Sequence, residues 1–69
     1  MTSIDARGLS CPQPIILLKK VLQDKPESCE IIVDNGAARD NVCRFAEDRG
    51  YSAQESKEGR DYHLLLRKA

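Results

Sequence analysis

The stretch DNGAARDNVCRFAEDRG, Asp34 to Gly50, can be read in two ways, and the choice decides the fold. Asn35-Gly36 between two strands would make a tight hairpin. The residues after Gly36 are not strand-like, because Ala38, Val42, Phe45 and Ala46 recur at helical spacing. Asp34 or Asn35 is placed to cap a first turn, and Gly50 stands where a helix-terminating glycine belongs. The stretch therefore reads as a helix, and its neighbours must be elements that a helix can connect.

Upstream, Cys29 to Val33, CEIIV, is short, rich in β-branched residues and apolar on both faces, as a buried central strand should be. Before it, Ile15, Leu18 and Leu22 recur at helical spacing from Pro12 onward, with Lys19 and Lys20 on the polar side, until Asp24-Lys25-Pro26 stops the helix. Ser3 to Ala6 alternates weakly and ends at Arg7-Gly8, a short first strand. Downstream, Tyr51 to Ser56 and Asp61 to Arg67 are alternating runs joined by Lys57-Glu58-Gly59-Arg60, a hairpin with a glycine-containing loop. The order is βαβαββ. Two helical crossovers favour parallel pairing with both helices on one face, so the expected fold is α/β: a two-layer sandwich with a mixed four-stranded sheet.

Composition limits what this fold can do. A chain of 69 residues buries only about 60% of its unfolded surface. Lysine plus arginine and aspartate plus glutamate each number 11, so no bulk attraction draws the chain to nucleic acid or an anionic membrane. The N-terminus has no apolar signal core, and the longest apolar run, Ile15 to Leu18, is far short of a membrane span. The expected location is the cytoplasm. Cysteine usage agrees, since Cys11, Cys29 and Cys43 are odd in number and widely spaced, unlike a secreted disulfide framework. With His63 the lone histidine and no C-x-x-C pair, neither a metal site nor another cofactor is expected.

The segment Gly8 to Lys20, GLSCPQPIILLKK, carries the chemistry. Proline suits a first helical turn because the N–H it lacks would have no intrahelical partner there. A helix starting at Pro12 sets Cys11 at its exposed end, where a thiolate feels the positive end of the helix dipole and the N–H groups of Gln13 and Ile15 are candidate donors. Its pKa should then fall below the free value of about 8.5. Pro14 removes another donor, and a helix starting at Pro14 would leave Cys11 outside it. The other reading of Cys11 is a small hydrophobe packed in a loop. Cys29 and Cys43 read as core and helix-flank residues. Ile16 and Leu17 fall outside the Ile15, Leu18, Leu22 face, so at least one is available as a docking surface, or else lies under a loop. His63, which could serve a thiol as base, shares a face of the last strand with Leu65 far in sequence from Cys11 and reads as structural or surface. Lys19, Lys20, Arg39, Arg44 and Arg49 read as solvated helix faces.

These residues resemble a known family. DARGLSCPQPI, Asp5 to Ile15, is similar to the Gly-Leu-x-Cys-Pro-x-Pro signature of the TusA/SirA-like sulfur carriers. VDNGAARDNVCRFAEDRGY, Val33 to Tyr51, resembles the YedF branch, sulfurtransferase-like proteins linked to selenium metabolism. The resemblance covers essentially residues 1–69 as a single TusA-like domain and implies the same βαβαββ sandwich. It implies that Cys11 carries sulfur, or selenium, as a persulfide-type adduct without a cofactor; the binding residues expected around it are Pro12, Gln13 and Pro14 of the motif and, from the helical wheel, Ile16 and Leu17. The implied partners are a donor, such as a cysteine desulfurase or another persulfide carrier, and a downstream acceptor protein. Gln13 stands where TusA has an acidic residue, and the Asp34-Asn35 region also departs from TusA, so transfer-RNA thiolation is not carried over. The competing reading is a non-catalytic interaction or regulatory module using the proline-framed helix start and the Ile16-Leu17 face. RNA binding is a third, opposed by zero net charge and few aromatics.

Overall fold

The computed structural model describes residues 2–9 and 13–68, arranged as β1 (Thr2–Asp5), α1 (Gln13–Leu22), β2 (Ser28–Val33), α2 (Gly36–Asp48), β3 (Tyr51–Glu58) and β4 (Asp61–Lys68). This is the expected βαβαββ sandwich, with a four-stranded mixed sheet in the order β1-β2-β4-β3. β1 and β2 pair in parallel, with Ile4 opposite Ile31, and the Ala6 N–H extends the ladder to the Ile32 carbonyl at 2.8 Å. β4 lies antiparallel between β2 and β3. The second crossover therefore connects strands that run the same way without being neighbours. The hydrophobic pattern explains the gap: β4 carries Leu64, Leu65 and Leu66 and takes a central place, whereas β3 is exposed along most of its length and forms a charged edge.

One face of the sheet is buried by the helices. Cys29, Ile31 and Val33 of β2 and Leu64 and Leu66 of β4 are all fully buried there, with Cys29 opposite Leu66 and Ile31 opposite Leu64. α2 covers them with Ala38, Val42 and Ala46; Phe45, also expected in the core, is only half-buried, with the Arg49 guanidinium 4.8 Å from its ring. α1 contributes Pro14, Leu18 and Leu22, spaced four apart, so the apolar stripe begins at Pro14 and Ile15 packs on its flank. On the opposite face, Ile32, His63 and Leu65 are half-buried, and His63 Nε2 lies 3.7 Å from a Glu58 carboxylate oxygen.

The connections differ from the expected ones in detail. The β3–β4 hairpin turns on Gly59 and Arg60 alone, with Lys57 and Glu58 paired opposite Tyr62 and Asp61. Gly59 holds φ at +60°, a conformation that side chains disfavour. Asn35 caps α2, its side-chain oxygen accepting the Ala38 N–H at 2.8 Å, and Gly50 follows the helix with φ at +85°. No described helix is long and apolar enough to cross a membrane.

Candidate functional site

The expected site straddles the loop from β1 to α1. Cys11 and Pro12 lie outside the described residues, and the described part of the site is the chain on either side of them. On the upstream side the chain leaves β1 through a turn in which the Leu9 N–H approaches the Ala6 carbonyl at 3.4 Å and Gly8 takes φ of +78°. Arg7 is held by Asp5, with guanidinium–carboxylate contacts at 2.9 Å, and by Asp61 at 3.2 Å. The hydrogen bonds from Arg7 hold the Asp5 carboxyl at about 2, well below its usual value, and the carboxylates in turn push the guanidinium pKa further up. These groups are exposed, so their gain is screened by solvent.

A second contact fastens the same turn. The Gly8 N–H donates to a carboxylate oxygen of Asp34 at 2.8 Å. Asp34 and Asn35 are both capping candidates by sequence, and the structure divides the work. Asn35 caps α2, and Asp34 reaches across to the loop. The sequence carries little sign of this, because Gly8 and Asp34 are 26 positions apart and no periodicity links them.

On the downstream side the described part of α1 runs from Gln13, and the start expected at Pro12 lies outside the described residues. Gln13 is exposed, Pro14 is buried, Ile16 is 41% exposed and Leu17 is half-buried against the core. Of the Ile16-Leu17 pair, Ile16 is thus the apolar side chain open to a partner, and it is the large hydrophobic residue exposed among those described. Lys19 and Lys20 continue the exposed side of the helix, and Lys19 lines a small cleft together with Leu22, Gln23, Phe45 and Arg49. Arg39 is not simply solvated: it pairs with Asp40 and Glu55 at 2.7 and 3.0 Å and lies 5.4 Å from the Tyr62 ring.

In the other two cysteines burial disfavours the thiolate. Cys29 is fully buried in β2, and burial raises its thiol pKa. Cys43 is half-buried on α2; burial raises its thiol too, followed by the neighbouring Glu47 and Glu55 carboxylates. Among the described residues no group of three or more histidine, cysteine, aspartate or glutamate side chains could hold a metal ion.

Comparison with known proteins gives relatives along nearly the whole chain. Residues 2–68 match the family described as Sulfurtransferase TusA. A putative sulfur carrier protein of Methanocaldococcus jannaschii is 33% identical, the match covering 99% of this chain and 95% of that protein. The sulfur carrier protein TusA of Allochromatium vinosum is 37% identical over 96% of this chain and 91% of its own length. The crystal structure of a SirA-like protein from Desulfitobacterium hafniense superimposes with a TM-score of 0.88 at 32% identity, covering 97% of this chain and 96% of that one.

Proposed function

This chain belongs to the TusA sulfurtransferase family of sulfur carriers, and from that premise we propose that it relays sulfane sulfur as a persulfide on Cys11. The observation that supports this site is the state of the other thiols. Cys29 and Cys43 are packed and their pKa values raised, while Cys11 stands in the Gly-Leu-x-Cys-Pro-x-Pro motif ahead of a helix that leaves Ile16 exposed.

In the transfer step the Cys11 thiolate attacks the terminal sulfur of a donor persulfide. A new S–S bond forms at Cys11, the donor's S–S bond breaks, and the donor leaves as a thiolate. No electrons are gained or lost overall, so no redox cofactor is required. The reverse geometry serves delivery to an acceptor thiol. The protein supplies position and a thiol pKa lowered at a helix start. Donors of this chemistry are a cysteine desulfurase or another persulfide carrier, and the acceptor is a protein downstream in the cytoplasm, where thiols are kept reduced. Pro12, Gln13 and Pro14 shape the approach, and Ile16 with Leu17 forms the apolar part of the docking surface.

The test is the intact mass after incubation with cysteine and a cysteine desulfurase. Cys11 gains the mass of one sulfur atom, and Cys11→Ser gains nothing at that position. Equal loading of Cys29 or Cys43 in the folded protein overturns the site. Selenocysteine as the substrate tests whether selenium is also carried. Absence of loading from any donor transfers the case to a non-catalytic interaction module, which the exposed Ile16 would then serve.

A further inference from the structure

We propose that Asp34 is a positioning residue for Cys11, acting through the Gly8 N–H on the turn after β1, three residues before the thiol in the chain. The inference rests on the reading of Cys11 as the sulfur-carrying residue, and it concerns a side chain that does not touch sulfur.

Parallel pairing between β1 and β2 reaches its last link where the Ala6 N–H meets the Ile32 carbonyl at 2.8 Å. Two residues beyond each of these, the ladder is replaced by a side chain: Asp34 accepts the Gly8 N–H at 2.8 Å. Such a charge-assisted bond to a backbone donor is stronger than a neutral one. Gly8 presents its N–H this way from a φ of +78°, a conformation glycine adopts without strain.

Asp34 is itself oriented. Its other carboxylate oxygen accepts from the Asn35 side-chain amide at 3.2 Å, and Asn35 accepts from Ala38 N–H at 2.8 Å. The turn at Gly8 is thereby tied through two side chains to the first turn of α2. Arg7, the cation adjoining Gly8 in the chain, is committed to Asp5 and Asp61, leaving the carboxylate of Asp34 to the Gly8 bond. Cys11 lies three residues beyond Gly8, so the bond fixes the point from which the short run to α1 departs. Sulfur transfer between two proteins needs the attacking atom held close to its reacting geometry, and small misplacements lower the rate steeply.

The test combines rescue with a readout that stability alone would not move. Asp34→Ala should slow both sulfur loading and iodoacetamide alkylation of Cys11 by about 3- to 10-fold, the effect of one lost hydrogen bond on an oriented group, while circular dichroism stays that of the wild type. Asp34→Asn keeps an acceptor oxygen facing Gly8 and should restore both rates to near wild type, with no change in the pH midpoint of alkylation. Wild-type rates in Asp34→Ala overturn the proposal. So does Asp34→Asn as slow as Asp34→Ala, which would assign the effect to charge. Should Asp34→Ala fail to fold, amide exchange decides in the wild-type protein: Gly8 N–H must be protected, and exchange at the free-peptide rate overturns the bond. Wild-type protein that takes no sulfur would overturn the carrier reading alone, since the alkylation and exchange arms still judge Asp34.

Discussion

Asn35 holds φ and ψ at −153° and 157°, an extended conformation from which its side chain turns back onto the first turn of α2. A cap of this kind contributes about 1 kcal/mol, a sizeable share of the stability of so small a domain. Asn35→Ala is therefore expected to lower the melting temperature by about 4–8 °C, while Asn35→Ser, which retains a capping oxygen, should keep most of it. Thermal melts followed by circular dichroism check this, and equal midpoints for Asn35→Ala and the wild type would mean that the cap contributes nothing. The capping role was legible as a choice between two neighbouring residues, Asp34 and Asn35. Which of them caps was not, because the choice depends on the Gly8 N–H arriving from a distant part of the chain to engage the other.

Helix α1 shows the same division at the scale of an element. Its polar side and its end before Pro26 follow from the spacing of Leu18, Leu22 and the lysines, and these were readable. Its beginning was not, since two prolines separated by one residue support two different starts; the described helix runs from Gln13, and Pro12 lies outside the described residues. The reason Pro14 belongs to the buried stripe is tertiary: it meets the core at the position four residues before Leu18. Pro12 and Pro14 each lack a backbone N–H, so replacing both with alanine restores two donors and relaxes the chain's restriction at these positions. The double variant is expected to keep an α/β circular dichroism spectrum and to change the rate of sulfur loading on Cys11 severalfold. Loss of all secondary structure would make the prolines folding elements first and detach them from the chemistry.

Across the whole molecule, periodicity identified every strand and which of them is apolar, but neighbour order is a property of the assembled sheet. Only once β4 pairs with both β2 and β3 does its leucine run acquire a central position, and only then is Cys29 sealed beneath the helices opposite Leu66. That burial sorts the thiols. Cys29 is fully buried with its pKa raised above the ordinary 9.0, so it stays protonated in the folded state while the unfolded chain begins to ionise. Its contribution to stability is accordingly complete below pH 9.0 and is lost as pH rises through the raised folded value. Below that range Cys29 can meet a reagent only when the sheet opens, and a central strand opens only in global unfolding. Iodoacetamide at about pH 8, below the range in which either packed thiol ionises, should therefore modify Cys43, half-buried on α2, well before Cys29. Mass spectrometry of digested samples gives the two rates separately. The Cys29 rate should climb with urea as steeply as the global unfolding equilibrium does, because both expose the same surface. Modification of Cys29 as fast as Cys43 without denaturant would mean that the sheet opens locally at β2, and burial would then no longer set Cys29 apart from the proposed sulfur-carrying thiol, Cys11.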